Sequence, residues 1–202
     1  MSNDMLGSVV RKLVMLPVEI LGTIYDLLEK LAGKNGEKWF SDLKKFLRGE
    51  IITKVVSFIT HTFTVMSDEA HPVEDTVIIG KFDVNNNDIN SENFPLAKDG
   101  KWTRKEISIF HFGKTMSSEE VIAEMDKEGY KPATIWDLLG LAIRKPDLQR
   151  KFSIVALGSV CKDCVGDRDV PCLYEDSGDR RLSLRHFHGD WVDDYRFAGV
   201  RK

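Results

Sequence analysis

The closing segment constrains the fold most: Tyr174 to Lys202 reads YEDSGDRRLSLRHFHGDWVDDYRFAGVRK. Leu182 and Leu184 alternate with Arg181, Ser183 and Arg185. Successive strand residues face opposite sides of a sheet, so the leucines mark a buried face and the polar residues an open one. An irregular aromatic and acidic stretch follows, His186 to Tyr195, and the chain closes on a short apolar strand beginning at Phe197. Polar and aromatic side chains held on one face, without a catalytic arrangement, point to a binding surface.

The remaining sequence limits what can carry such a surface. The chain has 202 residues, enough for one sizeable domain with a smaller attachment. Its 42% hydrophobic and 30% charged content is that of a soluble globular protein. A net charge of −3 argues against nucleic-acid binding through a strongly basic field. No apolar run reaches the roughly 18–20 residues of a membrane span. The start, Met1-Ser-Asn-Asp, lacks the basic region of a secretory signal. Three cysteines, Cys161, Cys164 and Cys172, do not make a disulfide framework. The default expectation is therefore a reducing, cytoplasmic compartment, with signal-less export as the alternative.

Residues 1–49 read as a helical segment. Ile20, Leu21, Ile24, Leu27, Leu28 and Leu31 recur at helical spacing, with Pro17 at the start and Gly33 at the stop. A second short helix is expected from Glu37 to Arg48, with Trp39, Phe40, Leu43, Phe46 and Leu47 on its apolar face and Gly49 at its end. The polar faces are not strongly basic, so packing within the protein or self-association into a homo-oligomer is preferred over a membrane surface. Residues 50–100 read as strands plus a polar insertion. Ile51 to Met66 has period two, with Val55, Ile59, Phe63 and Val65 on one face, and Val77 to Phe82 is expected to be another strand. Asp83 to Gly100 is polar and turn-rich; it starts like a calcium loop but has Asp88 where the glycine belongs and Phe94 where the glutamate belongs. Residues 101–202 follow as strand, helix, helix, strand, long loop region and terminal strand. Glu106 to Phe112 alternates. Ser117 and Glu120 form a capping box, Gly129 is a stop, Thr134 caps a further helix, and Ser153 to Leu157 is a short buried strand. The fold class is α+β.

That order carries a resemblance. FGKTMSSEEVIAEMDKEGYKPATIWDLLGLA resembles the start of a C-type lectin-like domain, in which a glycine turn and a P-A-T element lead into the second helix. FSIVALGS is similar to the strand after that helix, and GDWVDDYRFAGVRK to the hairpin that closes the domain on its first strand. Within that fold the C-terminus resembles the variable proteins of diversity-generating retroelements, in the form found in candidate-phyla bacteria, whose helical N-termini end in a KKFLR-like run as at Lys44 to Arg48. The resemblance implies no catalysis and no cofactor. It implies a recognition surface rewritten at template adenines by an error-prone reverse transcriptase, and an unknown macromolecular ligand, expected to be a protein.

The codon logic gives a check. Randomising the adenines of Asn codons of the form AAY reaches Asn, Ser, Arg, His, Gly, Val, Asp and Tyr, and never Trp, Met, Glu, Gln or Lys. The candidate display positions Arg181, Ser183, Arg185, His186, His188, Gly189, Val192, Asp194 and Tyr195 all lie in the reachable set, as does Tyr174. Trp191 does not, and it joins Leu182, Leu184, Phe187, Asp190, Arg196 and Phe197 as expected framework. Tyr and Trp offer large contact area at low entropy cost, and Arg, Ser and Asp add adaptable polar contacts. The disulfide cysteines and the calcium- and sugar-binding motifs usual in C-type lectins are absent, which argues against a calcium-dependent lectin.

Other readings compete for the same residues. Cys161-Lys-Asp-Cys164 with Cys172, and His186 or His188 as fourth ligand, matches the ligand types of a zinc site, hence a zinc-stabilised or metal-dependent enzyme. Arg168, Arg180, Arg181, Arg185 and Arg196 form a basic cluster that either binds an anionic ligand or pairs with nearby aspartates. A third reading is a structural subunit that oligomerises through the N-terminal helices.

Overall fold

A computed structural model describes residues 3–48, 58–96 and 98–202. They fall into two compact units, Met1–Val56 and Ser57–Lys202. The first is helical: α1 (Asn3–Val14), α2 (Val18–Ala32) and α3 (Gly36–Leu47). α2 and α3 pack on each other, and Gly36 is needed because a Cβ there would run into the Leu31 carbonyl. Much of the apolar stripe stays in solvent, with Leu28, Phe40, Phe46 and Leu47 all exposed. The expected stop at Gly49 and the stretch from Ile51 through Val55 to Ser57 lie outside the described residues.

The second unit is α+β, built on one large sheet with three helices. Its elements are β1 (Ile59–Asp68), α4 (Val73–Gly80), β2 (Val84–Asn85), β3 (Trp102–Phe110), α5 (Ser118–Lys127), β4 (Tyr130–Pro132), α6 (Ile135–Arg144), β5 (Ile154–Val155), β6 (Cys161–Lys162), β7 (Arg168–Asp176), β8 (Asp179–His186) and β9 (Arg196–Arg201). The sheet order is β1-β3-β9-β5-β7-β8-β2, with β4 added to β9 and β6 to β7. The terminal strand β9 lies antiparallel to β3, Ile107 opposite Val200, and parallel to β5.

Alternation splits the core between the two faces. Ile107, Ile109, Ile154, Leu173, Leu182, Ala198 and Val200 pack against α4 and α6 with Val73 and Leu138. Phe110, Val155, Val170, Cys172 and Phe197 point the other way, against Val121 and Met125 of α5. The expected capping box of Ser117 with Glu120 forms, and the expected Thr134 cap proves to be a second box with Asp137. Asp137 is fully buried, and Lys105 donates to it at 2.9 Å and to Glu69 at 2.6 Å. Gly140 lets α6 lie on β1, because a Cβ would collide with the Met66 carbonyl.

One expected strand is a helix. Val77 to Phe82 falls in α4 and the turn after it, where Lys81 is left-handed at φ 48°. The β-branched run suggested period two, yet Ile78 and Ile79 are exposed while Val73, Thr76, Val77 and Gly80 are buried, a helical period. Pro72 before the first turn and Glu74 and Asp75 within it favour that start. The polar insertion also does more than loop. Val84–Asn85 pairs in parallel with β8, and Ile89 and Phe94 enter the core. Its asparagines close turns: Asn86 Oδ1 accepts from Asp88 N, and Asn90 Oδ1 from Asn93 N.

The insertion is tied to α4 by Glu74, whose carboxylate accepts the Ser91 hydroxyl at 2.5 Å and the Ser91 N–H at 2.7 Å. Those bonds, the hydroxyl first, hold the Glu74 carboxyl below the usual range. A depressed folded pKa adds stability above the unfolded value, about 4.3, that is lost as pH falls through the folded value. Glu74→Gln is therefore expected to narrow the stability gap to wild type as pH drops below about 4.3. Urea midpoints of both proteins across the acid range measure this, and a gap that stays constant with pH rejects it.

Candidate recognition face

β7 and β8 form a hairpin closed by a turn with Ser177 and Gly178 at positive φ, 56° and 92°. Its register sets Tyr174 opposite Arg181, Cys172 opposite Ser183, and Val170 opposite Arg185. Leu182 and Leu184 therefore face the α4–α6 side, and Arg181, Ser183 and Arg185 the α5 side.

At the centre of that face, Arg185 lies over the Tyr174 ring at 5.0 Å. Tyr174 and Tyr195 both pack on the α5-side core. Burial, with the charges around Cys172, Arg185, Asp194 and Tyr174 as lesser influences, pushes the Tyr195 phenol up, which puts these groups in one neighbourhood. At the turn end, Arg181 pairs with Asp176 at 3.2 Å and Asp179 at 3.8 Å and is half-buried. At the far end of the hairpin His186 has the phase of Leu182 and Leu184 and so leaves from the opposite side, its Nδ1 2.8 Å from Asp169, while His188 in the following turn accepts from Arg168 Nε at 3.1 Å. Gly189, Val192 and Asp194 are exposed beyond them. Asp194 and Arg196 line a shallow cleft of about 230 Å³ with Gln149, Phe152 and Glu175.

The expected framework residues divide. Leu182, Phe187, Trp191 and Phe197 are buried, and Leu184 is partly buried against the α4–α6 core. Trp191 makes a two-way backbone bridge with Met116, and its indole N–H donates to Ser118 Oγ at 2.8 Å. Ser118 in turn donates to the Phe187 carbonyl at 2.6 Å. Arg196 is half-buried over Phe152 and donates to the Asp194 and Tyr195 carbonyls, and burial lowers its pKa. Asp190 differs: it is exposed in the turn before Trp191. A carboxylate has no reason to leave water there without a donor to meet it.

The cysteine–histidine zinc set is not assembled. Cys161 belongs to the α4–α6 core, Cys172 to the α5-side core, and Cys164 is exposed in the turn after β6. Register explains this, because neighbouring strands of one sheet send alternate residues to opposite faces. Burial first, then Asp169, raises the Cys161 pKa, and burial pushes Cys172 up to about 12. Burial thus favours the neutral thiol at both positions. The group with metal-ligating spacing among the described residues is instead Asp163, Asp169 and His186.

The basic cluster is also not one site. Arg180 is 8% exposed, and its guanidinium donates to the carbonyls of Pro146, Gly80, Lys81 and Ala142 at 3.0 to 3.3 Å. It ties together the ends of α4 and α6, and burial lowers its pKa. The sequence signal was available: Arg180 has the same strand phase as Leu182 and Leu184. Gln149, likewise buried, donates to the Tyr174 and Arg181 carbonyls under the hairpin, a role that no spacing pattern announces.

Comparison with family models, curated proteins and solved structures finds no match to this chain. Among the described residues, no helix is long and apolar enough to cross a membrane.

Proposed function

We propose that the chain is a ligand-binding protein that displays a hypervariable surface on a C-type lectin-like domain, of the kind diversified by a retroelement reverse transcriptase. The observation that carries this reading is the division of the closing segment. Leu182, Phe187, Trp191 and Phe197 are buried, whereas Arg185, His186, His188, Gly189, Val192 and Asp194 between them are exposed. Tyr174, Arg185 and Tyr195 gather on one shallow face, a shape suited to a macromolecular partner rather than a small substrate. The closure of β9 on β3, with α5 and α6 between them in the chain, agrees with the domain type.

The exposed apolar stripe of α2 and α3 favours self-association, which would present several such faces at once; sedimentation of the purified chain separates a monomeric binder from a multivalent one.

Display without loss of fold is the testable core of the reading. A pool varying Ser183, Arg185, His188, Val192 and Asp194 together within the AAY-reachable residues is expected to keep most members within about 1 kcal/mol of wild type. Unfolding midpoints of sampled members measure it, and a pool that mostly fails to fold overturns the reading. In the DNA beside the gene, a near-copy of the 3′ coding end differing at adenines is the expected companion, and differences scattered over other bases would remove the retroelement.

A further inference from the structure

The geometry points to a divalent transition-metal site formed by Asp163, Asp169 and His186, at the end of the hairpin where β6, β7 and β8 lie side by side. One donor atom from each residue lies within 4.8 Å of the others. Register brings them together: Asp169 on β7 is opposite His186 on β8 and Cys161 on β6, and Asp163 opens the turn after β6.

Two details set this group apart from a chance meeting of surface charges. The first is Asp169. Its side chain is only 14% exposed, and its Oδ1 is buried without a hydrogen-bond donor among the described residues. His186 Nδ1 sits 2.8 Å from that oxygen, at ion-pair distance but not aligned for a hydrogen bond. Ligand atoms about 3 Å apart match the spacing of neighbouring ligands on an ion with bonds of about 2.1 Å. The second is Asp163. Its Oδ1 accepts the N–H groups of Val165 and Asp167 at 2.9 and 2.8 Å, and Gly166 at φ 93° completes the turn. That carboxylate is fixed before any ion arrives, which lowers the ordering cost of binding. Arg168, next to Asp169 in sequence, is directed to Glu119 and His188 instead.

The donor set names the class of ion. One imidazole nitrogen with two carboxylate oxygens suits zinc or manganese better than calcium or magnesium, which prefer oxygen alone. Three protein donors leave positions for water or for a donor from a bound partner. The inference does not rest on the recognition reading, since the site stands whether or not the face is diversified. The two meet at His186: where that position varies, the metal would belong to this variant alone.

The test is calorimetric titration of zinc into the full chain, stripped with chelator and dialysed, with manganese and magnesium in parallel. The expected result is one equivalent of zinc bound, with Asp169→Asn and His186→Ala each weakening it about tenfold or more. Cys164→Ser, which alters the exposed thiol nearby, is expected to leave it unchanged. Unfolding midpoints check that each variant remains folded, and His186→Ala, being at the surface, keeps the test valid if Asp169→Asn does not. No zinc binding by wild type overturns the proposal. So does binding that survives both ligand substitutions, or that disappears with Cys164→Ser.

Discussion

Replacing Arg180 with methionine is expected to destabilise the second unit by about 3–5 kcal/mol. Four carbonyls, those of Gly80, Lys81, Ala142 and Pro146, would lose a charged donor, and the bonds to Gly80 and Ala142 are buried. Hydrogen bonds to charged groups contribute about 1.5–3 kcal/mol each, and losses within one network are not additive, which sets the range. The guanidinium also meets the carbonyl ends of two helices, where a positive charge is favoured, and stacks over Phe82 at 5.1 Å. Arg180→Lys keeps the charge but not the planar fork, so it should recover only part of the loss. Urea unfolding of the three proteins reads the effect directly. If Arg180 instead served an anionic ligand at the surface, methionine would cost less than about 0.5 kcal/mol.

Arg180 also shows where sequence reading stops. Its phase with Leu182 and Leu184 marks an inward position, yet its chemistry says surface, and composition-based reasoning followed the chemistry. What rescues a buried guanidinium is four carbonyls distant in sequence, and no local pattern encodes them. α4 failed for a related reason: its β-branched residues lie on both sides of a helix, Ile78 and Ile79 outward and Val73, Thr76 and Val77 inward, and only tertiary burial distinguishes that from a strand. By contrast, α5 and α6 were legible because a capping box is a local circuit of side chain and backbone within four residues. The alternation of β8 was legible for the same reason. The cysteines read as a zinc set because spacing says nothing of which face of a sheet each thiol takes. Asp163, Asp169 and His186 went unseen as a group because strand pairing, not spacing, unites them.

Trp191→Ala is expected to cost about 3–5 kcal/mol although it lies among exposed residues. The indole is 4% exposed and meets Tyr195 and Phe197 edge-on at 5.1 and 5.9 Å. Its N–H begins the relay through Ser118 to the Phe187 carbonyl, and its backbone bridges Met116 before α5. Removal would open a cavity and leave Ser118 without its donor, at the point where the irregular loop is fastened to the domain. Trp191→Phe keeps most of the ring and loses the N–H, so it should cost about 1–2 kcal/mol. Val192→Ala, one residue on and half-exposed at 50%, should stay within about 0.5 kcal/mol. Urea midpoints of the three variants rank them. The order matters more than any single value, because a recognition face that tolerates change must keep its stability at Trp191 and its freedom at Val192. A small loss at Trp191, or an equal loss at both positions, would mean that the loop is not held by its framework, and the separation of holding residues from displayed ones would fail.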